Sequence, residues 1–152
     1  VVLVEGDGGF TQNLQELATV AANVLNLKIF LFSNNGYASI RMTQKNYFGG
    51  AYLGCDVESG LGFPSWGKLF DSYGIPMMAL GDGWFDQDDF IAAFTGSMPV
   101  AFMVPIDPSQ TFFPKISSRV RADGGMESNP LHRMSPDLSD IEVRRWSPFL
   151  DE

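Results

Sequence analysis

VVLVEGDGGFTQNLQELATVAANVLNLKIFLFSNNG, residues 1–36, places an apolar run, a glycine turn, an amphipathic stretch and a second apolar run in that order. Val1 to Val4 reads as a buried strand, because a short continuous aliphatic run ending at turn residues is how a strand covered on both faces appears. Gln12 to Leu25 reads as a helix: Leu14, Leu17, Ala18, Ala21, Val24 and Leu25 fall on one face at spacings of three and four. Lys28 to Phe32 is the next strand. Strand, crossover helix and strand make a β-α-β unit, whose two strands lie parallel.

The same alternation continues outward. Ser39 to Tyr47 fits a short helix, and the glycine-rich segment Gly49 to Phe63 a long loop. Pro64 before Ser65 to Tyr73 and Gly74 after it bracket another helix. Ile75 to Leu80 returns as a strand. Asp86 to Phe94 carries acidic residues in its first turn, where the helix dipole favours them, and Val100 to Ile106 supplies a last apolar strand. The fold class predicted is α/β with a mainly parallel sheet. From Asp107 onward periodicity fades, and Pro108, Pro114, Pro130, Pro136 and Pro148 punctuate a tail that must wrap over the domain or stay mobile.

Composition bounds the function. The chain has 152 residues, 45% hydrophobic and 18% charged, as expected of one globular domain. Its formal net charge of -8 argues against a nucleic-acid surface, which needs clustered Lys and Arg. No apolar run reaches the roughly 18 to 20 residues that span a bilayer, and no signal peptide is legible, so the cytoplasm is the expected compartment. The single cysteine, Cys55, excludes an internal disulfide and reads as a small loop or core side chain. The chain opens directly on Val1-Val2-Leu3-Val4, with no initiator Met and no polar lead-in, which reads as a fragment cut at a buried strand.

Chemistry concentrates at the glycine turn. Gly6-Asp7-Gly8-Gly9 follows a strand and precedes a helix, so its amides can turn toward a phosphate, and glycine permits close approach. Asp7, at the strand end, is placed to ligate a hard divalent cation that neutralises the phosphate charge. The parallel strand Lys28 to Phe32 delivers Ser33-Asn34-Asn35-Gly36 to the same carboxyl edge, where ligands of open α/β sheets bind. Asp7 and Asn34 are 27 positions apart, room for one helix and one strand. One carboxylate and one carboxamide suit magnesium that keeps phosphate oxygens as its other ligands.

The run GDGGFTQNLQELATVAANVLNLKIFLFSNNGYASIR resembles the thiamine-diphosphate motif, GDG followed after some two dozen residues by NN. That resemblance implies a three-layer α/β sandwich binding thiamine diphosphate and magnesium. Carried over by spacing, it places the metal on Asp7, the side chain of Asn34 and the backbone carbonyl of Gly36, with Ser33 standing where the family has the first Asn. A register one residue later puts Asn35 and the carbonyl of Tyr37 in those roles. Gly6, Gly8 and Gly9 belong to the diphosphate turn, and Tyr37 and Ile40 are candidates to line the cofactor pocket. Gly81-Asp82-Gly83 is a second strand-to-helix GDG, but the residue 27 positions after Asp82 is Ser109, outside any Asn pair. That copy reads as a turn.

The QEL of the first helix and the GY, SIR and TQ groups after the Asn pair are similar to the C-terminal domain of acetolactate-synthase-like enzymes. Residues 1–114 are then the diphosphate and magnesium domain, lacking its first strands, and 115–152 a C-terminal tail. Pro114 to Arg119 and MESNPLHRMSP, residues 126–136, are similar to tails of relatives encoded with surface-polysaccharide genes. The resemblance implies decarboxylation of a 2-oxo acid, pyruvate first among them, and transfer of the two-carbon unit to an acceptor carbonyl. A binding-only module and a simple decarboxylase stay open beside it.

In the family the activating Glu lies in a separate N-terminal pyrimidine-binding domain, usually from a partner subunit, in a homodimer or homotetramer. The resemblance leaves FAD open as a second cofactor. No residue of this chain matches that Glu. Glu16 is a helix residue after GDGG. The chain by itself is expected to be inactive. Trp66, Trp84, Tyr73, Met77 and Met78 are candidates for a partner-covered surface, while Phe10, Phe30 and Phe32 read as core. His132, without a catalytic partner in sequence, and the tail cations Lys115, Arg119, Arg121 and Arg133, interleaved with acids, read mainly as solvated tail residues.

Overall fold

A computed structural model describes residues 1–111 and 113–149. The chain divides into two compact units, Val1–Ser109 and Gln110–Glu152. In the first, β1 (Val2–Gly6) leads into α1 (Asp7–Phe10), a 3-10 stretch (Thr11–Glu16) and α2 (Leu17–Ala22). There follow β2 (Lys28–Ser33), α3 (Ala38–Tyr47), α4 (Trp66–Ser72), β3 (Met77–Ala79), α5 (Asp88–Thr95) and β4 (Val100–Pro105). The strands form one sheet in the order β1-β2-β4-β3, with every neighbouring pair parallel.

Register and the alternation of side chains across a strand explain the layers. Leu3 pairs with Ile29, Ile29 with Ala101, and Ala101 with Met77. These four point to one face, where Phe10, Leu17, Val20, Trp66, Phe70 and Ile75 close the larger core. Phe30, Phe102 and Met78 point to the other face, against Leu80, Phe90 and Trp84. Phe102 packs with its ring tilted against Phe30 at 4.9 Å and Phe90 at 5.0 Å, measured between ring centroids. With helices on both faces of a parallel sheet, the unit is the three-layer α/β sandwich expected.

Local differences have local causes. The helix expected over Gln12 to Leu25 is broken: helical geometry starts at Asp7, is interrupted at Asn13 (φ -136°, ψ 38°) and ends at Ala22. Its end is a Schellman closure, with Leu25 N–H donating to Val20 O at 3.0 Å and Val24 N–H to Ala21 O at 3.2 Å. Val24 occupies the left-handed position, φ 47°, that such closures normally give to glycine. A β-branched residue there stores about 1 kcal/mol, so Val24→Gly is expected to raise the thermal midpoint of the protein, a shift calorimetry reads directly.

The bare apolar surface is not where the sequence suggested. Trp66 is buried, and Trp84, Tyr73, Met77 and Met78 pack against the two cores. The large exposed hydrophobic side chains of the sheet are Val2, Val4 and Phe32, all on the α5 side, toward the β1 edge. Phe32, 36% exposed, is thus not the core residue its run implied, whereas Phe10 and Phe30 are packed.

The second unit is more ordered than its prolines suggested. β5 (Lys115–Ile116) pairs with β8 (Met134–Ser135), β6 (Ser118–Val120) with β7 (Met126–Ser128), and α6 spans Asp140–Trp146. A capping box starts α6: Ser139 Oγ accepts from Glu142 N–H while Glu142 accepts from Ser139 N–H. Among the described residues no helix is long and apolar enough to cross a membrane.

Candidate functional site

Parallel pairing of Gly6 with Phe32 brings the ends of β1 and β2 together at one sheet edge. Asp7, the first residue past β1, is 2% exposed. Its Oδ2 accepts three hydrogen bonds from the end of β2: Ser33 Oγ at 3.2 Å, Asn34 N–H at 3.1 Å and Asn35 N–H at 3.0 Å. The Ser33 hydroxyl therefore does a definite job where the resemblance puts an Asn. It helps to fix the carboxylate.

Oδ1 of Asp7 receives none of these bonds, and among the described residues no cation pairs with this carboxylate. A buried charge held only by neutral donors is costly unless a positive partner completes it. The main chain around it is specialised. Asn35 adopts φ 56°, a left-handed conformation that Asn tolerates better than most residues, and its bend lets Gly36 N–H donate to Asn34 Oδ1 at 3.1 Å.

Gly36 is buried and bridges antiparallel to Asp56, and the Tyr37 N–H donates to Cys55 O at 2.7 Å. Because the bond is made by the residue after Gly36, the N–H and C=O of Gly36 itself point away from that bridge. Cys55 is fully buried in the loop, as its small size suggested. Gly8 is equally confined: a Cβ there would lie 2.3 Å from the Tyr37 ring, which in turn meets Phe63 edge-on at 6.1 Å. Gly9 lies beside the carboxylate of Glu5, which also accepts from Gly6 N–H at 2.9 Å.

The predicted residues thus separate into two groups. Gly6, Asp7, Gly8, Asn34, Gly36 and Tyr37 meet at one edge, whereas Gly9 is exposed beside the Glu5 carboxylate and Ile40 is 45% exposed on α3, a helix with no buried residue. Glu16 accepts from Thr19 Oγ1 at 3.1 Å in an exposed stretch. The second GDG differs from the first in substance: Asp82 is exposed and Gly83 turns at φ 71° into a short 3-10 segment. It is a turn. In the other unit, Arg119, Arg121 and Arg133 each pair with a carboxylate, and Lys115 lies over the Phe113 ring at 5.2 Å.

Two residues at the edge escaped the sequence reading, Arg41 and Asp56. Their guanidinium and carboxylate meet at 2.9 Å beside Gly36. Hydrogen bonds from the Ser59 hydroxyl and amide, then the Arg41 charge, hold Asp56 below the usual carboxylate range. The pair carried no periodic signal, since 15 residues and a glycine-rich loop separate its members.

A three-layer α/β unit with a parallel sheet thus carries a buried carboxylate, an Asn turn and close-packed glycines at its carboxyl edge, the edge at which open α/β sheets take their ligands. The family model of the thiamine pyrophosphate enzyme C-terminal TPP binding domain matches residues 1–101. The chain belongs to that family. Among curated relatives, the acetolactate synthase of Arthrospira platensis is 25% identical over 117 residues, covering 77% of this chain and 20% of its own length. A probable acetolactate synthase large subunit of Methanococcus aeolicus is 37% identical over 75 residues, 49% of this chain and 12% of that protein. The chain therefore spans a fifth or less of the relatives it matches. The thiamine diphosphate-dependent 4-hydroxybenzoylformate decarboxylase of Rhodococcus jostii RHA1 has the same fold, with TM-score 0.61, 21% identity, and coverage of 70% of this chain and 20% of that one.

Proposed function

We propose that this chain is the diphosphate- and magnesium-holding part of an acetolactate-synthase-like enzyme that decarboxylates pyruvate and joins the two-carbon unit to an acceptor carbonyl. The observation that carries it is Asp7: a buried carboxylate with one oxygen fixed by the end of β2, the other not so bonded, and no cation paired with it among the described residues. The donor set fits a hard, oxygen-preferring ion. Asp7 Oδ1, the second lone pair of Asn34 Oδ1 and the Gly36 carbonyl are the groups that would hold it.

Bound thiamine diphosphate supplies the electron sink for the carbanion. This chain's residues bind and orient. Gly8 and Gly9 bring main-chain N–H groups to the diphosphate without a Cβ in the way. Tyr37 packs over Gly8 and keeps that turn narrow. The activating Glu comes from a pyrimidine-binding domain, in a homodimer or homotetramer where that domain belongs to the second subunit.

Product analysis of the full-length protein fed pyruvate, with and without keto-sugar or 2-oxo-acid acceptors, tests the reaction. Carbon dioxide release with a new carbon-carbon bond in the product is the expected result. Aldehyde alone, with every acceptor, would reduce the activity to simple decarboxylation. Cofactor binding without turnover would leave a binding module.

A further inference from the structure

α3 buries no residue of its own, yet it grips the glycine-rich loop at two points one turn apart. Gln44 reads the main chain of Leu53 on both sides, donating to its carbonyl at 3.0 Å and accepting from its N–H at 3.1 Å. Arg41 donates from Nε to Asp56 Oδ2 at 3.0 Å, and its Nη1 donates to the Pro108 carbonyl, past the end of β4, at 2.9 Å. The acidic end is braced too: Asp56 Oδ1 accepts from Ser59 N–H at 2.8 Å, and Ser59 Oγ accepts from the amides of Cys55 and Asp56.

What this clasp encloses is Gly36. A Cβ on Gly36 would lie 2.6 Å from the Cys55 carbonyl oxygen, 3.1 Å from Arg41 Nη2 and 3.3 Å from Asp56 Cβ. The guanidinium and the loop main chain therefore fill the space on the Cβ side of that α-carbon, while the Tyr37 N–H bond to Cys55 O holds the peptide that follows it. They fix the plane of the peptide whose carbonyl is assigned above to the cation.

We propose that Arg41, held by Asp56 and the Pro108 carbonyl, is a positioning residue that fixes the Gly36 carbonyl in the magnesium shell and thereby ties the 49–63 loop to cation binding. This rests on the assignment of the cation to Asp7, Asn34 and Gly36. Arg41 and Asp56 act as a unit, through geometry, without touching the ion.

The test is a double-mutant cycle in the full-length protein with Arg41→Gln, Asp56→Asn and both together, beside Asp7→Ala as reference. Titrating magnesium at saturating thiamine diphosphate, each single variant is expected to need about tenfold more metal for half-saturation. The double variant is expected to be no worse than the worse single. Hydrogen exchange of the Tyr37 amide, bonded to Cys55 O in the clasp, is expected to quicken in all three. Arg41→Lys, which keeps the charge but cannot span both acceptors, should fall between wild type and Arg41→Gln, and carries the same test where a harsher variant does not fold. Additive effects in the double variant, or wild-type magnesium titrations alongside a defective Asp7→Ala, would overturn the positioning role alone. Normal binding by Asp7→Ala would instead overturn the cation site on which it rests.

Discussion

Asp7→Ala is expected to abolish magnesium-dependent binding of thiamine diphosphate to the full-length protein, a loss of more than about 100-fold, since repositioning effects outside a metal shell already reach that size. One carboxylate has two duties. Oδ2 gathers Ser33, Asn34 and Asn35 at the end of β2, and Oδ1 remains to meet a cation. Removing the side chain leaves two main-chain N–H groups unpaired in a partly buried turn and deletes the carboxylate that gathers them. Asp7→Asn keeps the shape but exchanges one oxygen for a donor, which then faces either the N–H groups or the ion, so it too is expected to lose binding.

Binding calorimetry with thiamine diphosphate and magnesium reads that loss and also decides between the two registers of the Asn pair. Asn34→Ala is expected to lose binding as Asp7→Ala does. Asn35 contributes its N–H to Asp7 but is exposed and left-handed, so Asn35→Gly removes its side chain while preserving that backbone conformation. It is expected to bind near normally. Binding lost in Asn35→Gly and retained in Asn34→Ala would transfer the ligand role to Asn35. Unchanged affinity in both Asp7→Ala and Asn34→Ala would remove the clamp altogether.

Most of the sandwich was legible because its signals are local. Apolar runs became β1, β2, β3 and β4, and the spacing of Leu14, Leu17 and Ala21 placed a helical face on the larger core. The end of the helix at Ala22 was not legible, because Val24 in a left-handed closure goes against its own conformational preference. The burial of Trp66 within its own unit was not legible for a related reason. Large aromatic residues such as Trp66 reveal a need for burial without revealing against what, and here the protein's own α1, α4 and sheet satisfy it. In the tail, Ser139 and Glu142 spell a helix start three residues apart, a signal that proline-rich surroundings obscured.

At the site, Asp7 and the Asn pair could be found because strand ends fix them. Ser33 was read as a stand-in, and its hydroxyl on Asp7 gives that stand-in a physical meaning. Arg41 and Asp56 could not be paired from sequence, because the Gly49 to Phe63 loop between them has no periodicity to set its path. Only the folded loop brings an acid at 56 onto a helix residue at 41.

Gly36→Ala is expected to lose cofactor binding almost as completely as Asp7→Ala, again by more than about 100-fold, while the domain stays folded. The reason is crowding alone. Gly36 is not among the glycines with positive φ, so an L side chain suits its backbone, but the added methyl would lie 2.6 Å from a main-chain oxygen, Cys55 O, that cannot swing aside as a flexible side chain can. The bridge to Asp56 must open, Tyr37 must withdraw its N–H, and the carbonyl of residue 36 must turn from the place where Asp7 and Asn34 await a third ligand. Gly54→Ala is the matched control from the same loop. It is strained, with φ 60°, but nothing lies within 4 Å of its Cβ position. That substitution is expected to cost about 1 kcal/mol of stability and to leave magnesium-dependent binding near wild type. Binding retained in Gly36→Ala would mean that the placement of this carbonyl does not govern the site, and binding lost equally in both variants would mean that general loop integrity does.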